Sequence, residues 1–314
     1  MRTGVVPGTP SGPERDAGVR RNESTGSEAV TMHSVPRTFA LVGPGRAGSS
    51  LALALRDAGW RATAVAGRTP GSPAARSLAT RLGCPVTPVD RAGAGADVVV
   101  LTTPDAAIDA VAGRVAPGLE PGALVLHCSG ARGLDALAPL AAARPDVALG
   151  ALHPLQTFAG PDPAAVTGAW AAVAGPPAVT EVALALGLRP VVVPDDRRPA
   201  YHAAAVVASN HLVALLGQVE RLAATAGVPG EAFWPLVHTT VANVVAHDPA
   251  GALTGPVARG DHATVAAHLD AIPTSEHDAY RALAQAALEL TGRDDPALRR
   301  LLDPQGARDA EVPA

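Results

Sequence analysis

Residues 39–55 restrict the fold more than any other stretch of this chain. The apolar run Phe39-Ala40-Leu41-Val42 leads at once into Gly43-Pro44-Gly45-Arg46-Ala47-Gly48 and then into Ser49-Ser50-Leu51-Ala52-Leu53-Ala54-Leu55, which reads as strand, glycine turn and helix. In that setting the first glycine permits the tight turn, the second lets a diphosphate approach the backbone, and the third lets the helix pack close to the strand. The anion then sits on the N-terminus of the helix. Gly43, Gly45, Arg46, Ala47 and Gly48 are therefore candidate dinucleotide contacts, the alternative being a glycine turn with no ligand.

From Arg37 onward, short apolar runs alternate with Ala/Leu-rich helical stretches, the pattern of a parallel sheet covered by helices. Candidate strands lie at 39–42, 62–66, 85–88, 97–102, 124–127, 148–152, 170–174 and 190–193, and beyond Asp195 only helical patterns follow, at 199–226, 230–246, 262–271, 275–291 and 296–302. In the fourth of these, Ala279, Leu283, Ala286, Ala287 and Leu290 recur at helical spacing and predict one buried stripe. The expected architecture is α/β, a doubly wound Rossmann-like parallel sheet over 37–196 followed by an all-helical domain over 197–302. Residues 1–36, rich in Gly, Pro, Ser, Arg and Glu, read as a disordered extension or an early start, and the chain from Asp303 as a flexible tail. The active site of such a chain belongs in the cleft between the halves, outside the carboxyl ends of the strands.

Composition removes several function classes. All 25 basic residues are arginines, so no mechanism that needs a catalytic lysine is open to this chain. A formal charge of −4 without a basic-aromatic cluster argues against a nucleic-acid partner. Cys84 and Cys128 have neither CxxC spacing nor disulfide-framework density, which suggests reduced thiols and the cytoplasm. No run reaches the roughly 18 apolar residues of a membrane span, and no cluster has metal-ligand spacing.

An NAD-selective fold places Asp or Glu at the end of the second strand, where it accepts hydrogen bonds from the ribose hydroxyls. Here that corner reads Ala66-Gly67-Arg68-Thr69-Pro70. With no carboxylate to repel a phosphate, and Arg68 and Thr69 in its place, NADP is the expected cofactor, the other reading being that Arg68 is a solvated loop arginine. Thr102, Thr103 and Pro104 end one strand and Ser129 follows another, so they are further candidate cofactor contacts, with helix capping as the other reading.

The segments His153-Pro154-Leu155-Gln156-Thr157-Phe158, Tyr201-His202-Ala203-Ala204-Ala205 through Ser209-Asn210-His211, and Leu253-Thr254-Gly255-Pro256-Val257-Ala258-Arg259-Gly260-Asp261 carry a resemblance. Over nearly all of 37–302 the chain resembles the bacterial Rossmann-like proteins with an uncharacterised helical C-terminal domain, a group described as NADP oxidoreductases without a settled substrate. More distantly the layout is similar to 6-phosphogluconate, 3-hydroxyisobutyrate and prephenate dehydrogenases, pyrroline-5-carboxylate reductase and ketopantoate reductase. Several of those use a lysine one turn before an asparagine; here Asn210 matches the asparagine and Val206 stands near the lysine position. The resemblance to prephenate dehydrogenases implies that His153 lies beside the reacting hydroxyl or carbonyl, and the resemblance as a whole implies a homodimer built through the helical domain. A structural reading of His153-Pro154, a strand end followed by a turn, stands beside the catalytic one.

Helix geometry adds an independent reading. At about 100° per residue, His202, Val206, Ser209, Asn210 and Val213 share one arc and His211 faces the other way. His202, Ser209 and Asn210 thus form a polar patch on an apolar helix that needs protein or ligand partners, and His211 is placed for packing against another helix or subunit. Arg259 is a candidate anchor for a substrate carboxylate or a tie between helices, Asp261 is an expected N-cap, and Asn243 and His247 stay ambiguous. The function these features predict is an NADP-dependent oxidoreductase acting on a carbonyl, hydroxyl or imine carbon of a small carboxylate-bearing metabolite, with His153 or His202 as proton carrier, Asn210 and Ser209 on the substrate, and no metal. A nucleotide-binding sensor, and an enzyme taking hydride from a deazaflavin-like donor, are the competing readings.

Overall fold

A computed structural model describes residues 38–303 apart from Pro70. The expected N-terminal extension, Arg37, Pro70 and the tail beyond Asp303 lie outside the described residues. Seven strands form one sheet: β1 (Thr38–Val42), β2 (Arg61–Ala66), β3 (Val98–Leu101), β4 (Leu124–His127), β5 (Ala148–Pro154), β6 (Trp170–Ala174) and β7 (Arg189–Val192). Their order is β2-β1-β3-β4-β5-β6-β7, and every pairing is parallel except the antiparallel β5–β6. β3 and β4 read as unbroken apolar runs because both their faces are covered, whereas β7, at the end of the sheet, leaves Val191 and Val192 exposed. In β1, Phe39 and Leu41 point into one core layer while Ala40 and Val42 point into the other.

Five helices cover the sheet: α1 (Arg46–Asp57), α2 (Pro73–Leu82), α3 (Ile108–Val115), α4 (Ala138–Ala143) and α5 (Pro177–Ala185). The strand expected at 85–88 is reduced to a single bridge between Val65 and Val86. Pro85 and Pro88 lack the N–H groups a ladder needs, so only Thr87 N donates to Val65 O and Val65 N to Pro85 O.

The helical half comprises α6 (Arg198–Val206), α7 (Leu212–Thr225), α8 (Trp234–Ala252), α9 (Pro256–Arg259), α10 (His262–Ala271), α11 (His277–Leu290) and α12 (Pro296–Leu302). A π-helical segment, Val207–His211, joins α6 to α7 without a break. Mean hydropathy makes Asp195–Thr225 long and apolar enough to cross a membrane by length and composition, contrary to the expectation from sequence. His202, Ser209, Asn210 and His211 interrupt any continuous apolar run, and the alanines, valines and leucines around them keep the average high. α8 runs past the predicted end at Ala246, breaking at Asp248 (φ 64°) before Pro249. The Asp248 carboxylate accepts from Gly251 N at 2.9 Å and so caps the turn that follows. The stripe expected on α11 is displaced: Leu283 and Leu290 are each 47% exposed, and Ala284 and Leu288 are the buried pair, packing with Val257, Val265, Leu298 and Leu302. The partners α9 and α12 approach that side of the helix, which the composition of α11 alone does not encode.

Candidate active site

The glycine turn follows from the packing of β1 against β3. Gly43 has φ 101°, and a Cβ on it would lie 2.8 Å from the Thr102 carbonyl carbon. On Gly48 a Cβ would lie 2.2 Å from Thr102 Oγ1 and 2.5 Å from Gly43 O. Thr102 Oγ1 donates to Gly43 O at 2.6 Å, locking the turn to the end of β3. Gly45 differs, since a Cβ there would meet nothing within 4 Å. Its outer face is open, as the approach of a diphosphate to the backbone requires. α1 begins there with no side-chain N-cap and no acidic residue in its first turn, so the positive end of the helix dipole has no carboxylate on it, with Gly45 and Arg46 exposed, Ala47 half-buried and Gly48 buried behind them. These features fit a dinucleotide.

Arg68 and Thr69 stand exposed just beyond β2, whose last residue, Ala66, accepts from Gly43 N. Ser72 closes the corner by capping α2 through Ala75 N. Beyond β3, Thr103 has its Oγ1 buried with no partner among the described residues, and the exposed Pro104 starts the next turn. Ser129, beyond β4, is already engaged: its hydroxyl donates to Asp105 at 2.7 Å and accepts from Ala131 N and Arg132 N. Ser129 N donates to His127 Nδ1, which leaves His127 Nε2–H to donate to Gly133 O at 3.0 Å. Burial holds the His127 pKa below the usual histidine value, in keeping with that neutral tautomer.

A second element reaches the same edge of the sheet. His153 lies at the end of β5, and its Nδ1 is 2.8 Å from the Tyr201 hydroxyl on α6. The His153 and His202 rings meet edge to face with centroids 6.1 Å apart. Both rings rest on Gly130, where a Cβ would fall 2.7 Å from His202 Cδ2 and 2.8 Å from His153 Cε1. Around them opens a cleft of about 490 Å³, lined by His153, Gln156, Thr157, Tyr201, His202, Ser209 and Asn210 with several alanines and Val206. The structure thus brings together His153, His202, Ser209 and Asn210, as the helical arc implied. Val213 does not join them and is 69% exposed, because the π-turn changes the register after Val206. Arg259 does not line this cleft either; it is exposed on α9, beside Asp261, which caps α10 through Thr264 N.

Tyr201, Gln156, Thr157, Gly130 and Arg198 are site residues that the sequence reading did not single out. Arg198 is fully buried, with Nε on Asp195 at 3.1 Å, Nη1 3.5 Å from Ser129 O, and Nη2 without a partner among the described residues. Burial, followed by the neighbouring His202 and Arg198, pushes the His153 pKa from the ordinary 6.5 down to about 4. The ring is therefore neutral near pH 7, suited to hydrogen bonding rather than to storing a proton. Between pH 6.5 and 4 the unfolded chain accepts a proton that folded His153 refuses, so stability falls as the solution is acidified through that window. Chemical denaturation should show a loss of about 2 kcal/mol from this ring, with allowance for its partial exposure. His153→Gln should flatten the slope, and an unchanged slope would place the titration elsewhere.

Burial also raises the thiols of Cys84 and Cys128, the latter to about 12, and both are unpaired. Among the described residues, no group of three or more His, Cys, Asp or Glu is placed to hold a metal ion.

The strand order, the glycine turn and the crevice outside the strand ends define a Rossmann-like protein. Residues 25–154 match the family model described as a Rossmann-like domain, and residues 163–287 match a domain of unknown function, DUF2520. The chain accordingly joins a Rossmann-like domain to a C-terminal DUF2520 domain. Its fold is similar to that of a Bacteroides fragilis protein described as a candidate NADP oxidoreductase, with TM-score 0.66 at 21% identity over 82% of this chain and 98% of that one. Protein TM1727 of Thermotoga maritima gives TM-score 0.63 at 23% identity over 81% and 98% of the two chains. A pyrroline-5-carboxylate reductase of Coxiella burnetii gives 0.53 at 15% identity over 82% and 99%. No curated protein matches the chain.

Proposed function

We propose that this protein is a cytoplasmic NADP-dependent oxidoreductase that moves a hydride to or from a carbonyl, hydroxyl or imine carbon of a small carboxylate-bearing metabolite. One observation carries the reading: the open Gly45 turn after β1 and the His153–His202 cleft at the end of β5 lie on the same edge of one sheet. Gly130, three residues beyond the intervening β4, packs against both imidazoles, leaving no room for a Cβ between them. The bound nicotinamide supplies the hydride chemistry. The chain's own groups bind and orient the substrate. Neutral His153, its tautomer set against the Tyr201 hydroxyl, hydrogen-bonds the reacting oxygen or nitrogen, and His202 is the second imidazole within reach of the proton. Asn210 and Ser209 offer an amide and a hydroxyl from the other wall. The cleft lining contains no Arg, Asp or Glu, so within one copy the substrate carboxylate meets neutral donors.

The choice of NADP rests on the corner after β2, where Arg68 and Thr69 stand exposed and no carboxylate is present. Titration should show NADPH binding at least about tenfold more tightly than NADH, a difference of about 1.4 kcal/mol. Arg68→Asp should remove or invert the preference. A wild-type preference for NADH, or an Arg68→Asp variant that still favours NADPH, would mean that this corner does not read the 2′-phosphate.

A further inference from the structure

α6 carries Arg198, Tyr201 and His202 at the i, i+3, i+4 spacing that puts side chains on one face of a helix. Arg198 is fully buried, with Nη1 3.5 Å from the carbonyl of Ser129, the residue before the Gly130 on which both imidazoles rest. Tyr201 holds its hydroxyl 2.8 Å from His153 Nδ1, with the two rings edge to face. His153 Nε2 has no partner among the described residues, and the ring lines the cleft. The carboxylate paired with Arg198 is that of Asp195, whose side chain is 49% exposed, and Nη2 is a spare buried donor. A buried cation so thinly paired is destabilising by itself. Its field falls on the Tyr201–His153 pair.

That hydrogen bond can run in two directions. With the proton on Nδ1 the ring donates to the phenol oxygen; with Nδ1 bare the phenol donates to the ring, and the ring N–H is on Nε2. Arg198 selects the second form, because a cation attracts the electron density of the phenol oxygen and drives its proton away, toward Nδ1. Burial raises the Tyr201 phenol and lowers the His153 ring, and Arg198 pulls both down. The other titratable groups facing the ring are His202 on α6, His127 at the end of β4 and Asp105 beyond β3, whose carboxylate accepts from Ser129. A His153 ring with a pKa of about 4 holds no second proton in reserve. If it gave up its single N–H unaided it would become an imidazolate, a far stronger base than a phenolate. A phenol bonded to its other nitrogen removes that obstacle.

We propose that Tyr201 and His153 form a two-proton relay, with Arg198 as the counter-charge of the phenolate it creates. As hydride reaches the substrate carbon, the substrate oxygen or nitrogen takes the His153 Nε2 proton, the Tyr201 O–H proton passes to Nδ1, and the ring stays neutral throughout. Tyr201 is left as a phenolate near Arg198. A solvent proton arriving at Nε2 through the open cleft then sends the Nδ1 proton back to Tyr201 and resets the pair. Tyr201 and Arg198 act through His153 and are positioning residues. The relay rests on reading the cleft as the seat of hydride transfer; the tautomer, and its dependence on Tyr201 and Arg198, do not.

Nitrogen NMR of ring-labelled histidines near neutral pH, with the His153 signals identified by their loss in His153→Gln, should show the wild-type proton on Nε2 and Nδ1 accepting. Tyr201→Phe should let both tautomers appear, and Arg198→Gln should shift the balance toward Nδ1–H. With a trial partner that turns over, Tyr201→Phe should lower kcat by about 10²-fold and leave KM almost unchanged. The solvent isotope effect should change from a two-proton to a one-proton dependence on deuterium content. Tyr280→Phe, which removes a phenol held 2.8 Å from His268 outside the cleft, should alter none of these readings. A wild-type ring protonated on Nδ1, a tautomer ratio unmoved by Tyr201→Phe or by Arg198→Gln, or full turnover in Tyr201→Phe would each overturn the relay. A protein that keeps the Tyr201-dependent Nε2–H form yet binds no NADPH would instead refute the proposed function, and the hydride step with it, leaving the pairing of the three side chains intact.

Discussion

Gly48→Val is expected to cost at least about 4 kcal/mol of folding stability, the largest effect of any single substitution in the nucleotide-binding half. The first added carbon would sit 2.2 Å from Thr102 Oγ1 and 2.5 Å from the Gly43 carbonyl, and one of those neighbours is backbone. The bond from Thr102 Oγ1 to Gly43 O, which fastens the turn to β3, would be lost with it. In a unit of this size the melting temperature should fall by about 10 °C. Gly45→Val should leave it almost unchanged, because nothing lies within 4 Å of a Cβ there. Equal destabilisation by the two variants would show that the turn is not packed as described.

The second large effect concerns the imidazole pair. His153→Ala should leave NADPH binding intact and, with a substrate in hand, slow hydride transfer by about 10²–10⁴-fold, the usual loss for a positioned proton-handling group. Gly130→Ala should act on the same step without removing any functional group. Its methyl would press within 2.9 Å of both rings and force them from the position they share. Normal turnover in both variants, measured with 2-oxo acids, cyclic imines and deazaflavin as trial partners, would remove the catalytic role from His153.

The strand, turn and helix at 38–57 were legible in the sequence because their determinants are contiguous, one apolar run, one glycine turn and one helical stretch, whereas the bond that Thr102 makes to the turn comes from 59 residues further along the chain. The Asp261 cap and the arc shared by His202, Ser209 and Asn210 were legible for the same local reason. What sequence could not supply is contact at a distance. Tyr201 reaches His153 across 48 residues, and Gly130 supports two rings from a third segment. The signal for Tyr201 lay beside His202, but only the fold says that its hydroxyl turns toward β5. Local patterns also misled where tertiary partners decide. Pro85 and Pro88 emptied an expected strand of donors. The apolar residues of α11 faced outward where α9 and α12 do not reach.

The central claim is that the turn at Gly45 receives the diphosphate of a nicotinamide dinucleotide, and calorimetric titration of NADPH into the wild type and into Gly45→Val tests it most directly. Saturable one-to-one binding to the wild type, together with at least a tenfold loss in a Gly45→Val protein that melts at the wild-type temperature, is the predicted result. A wild type that takes up neither NADPH nor NADH, or a Gly45→Val variant that binds as well as the wild type, would contradict it.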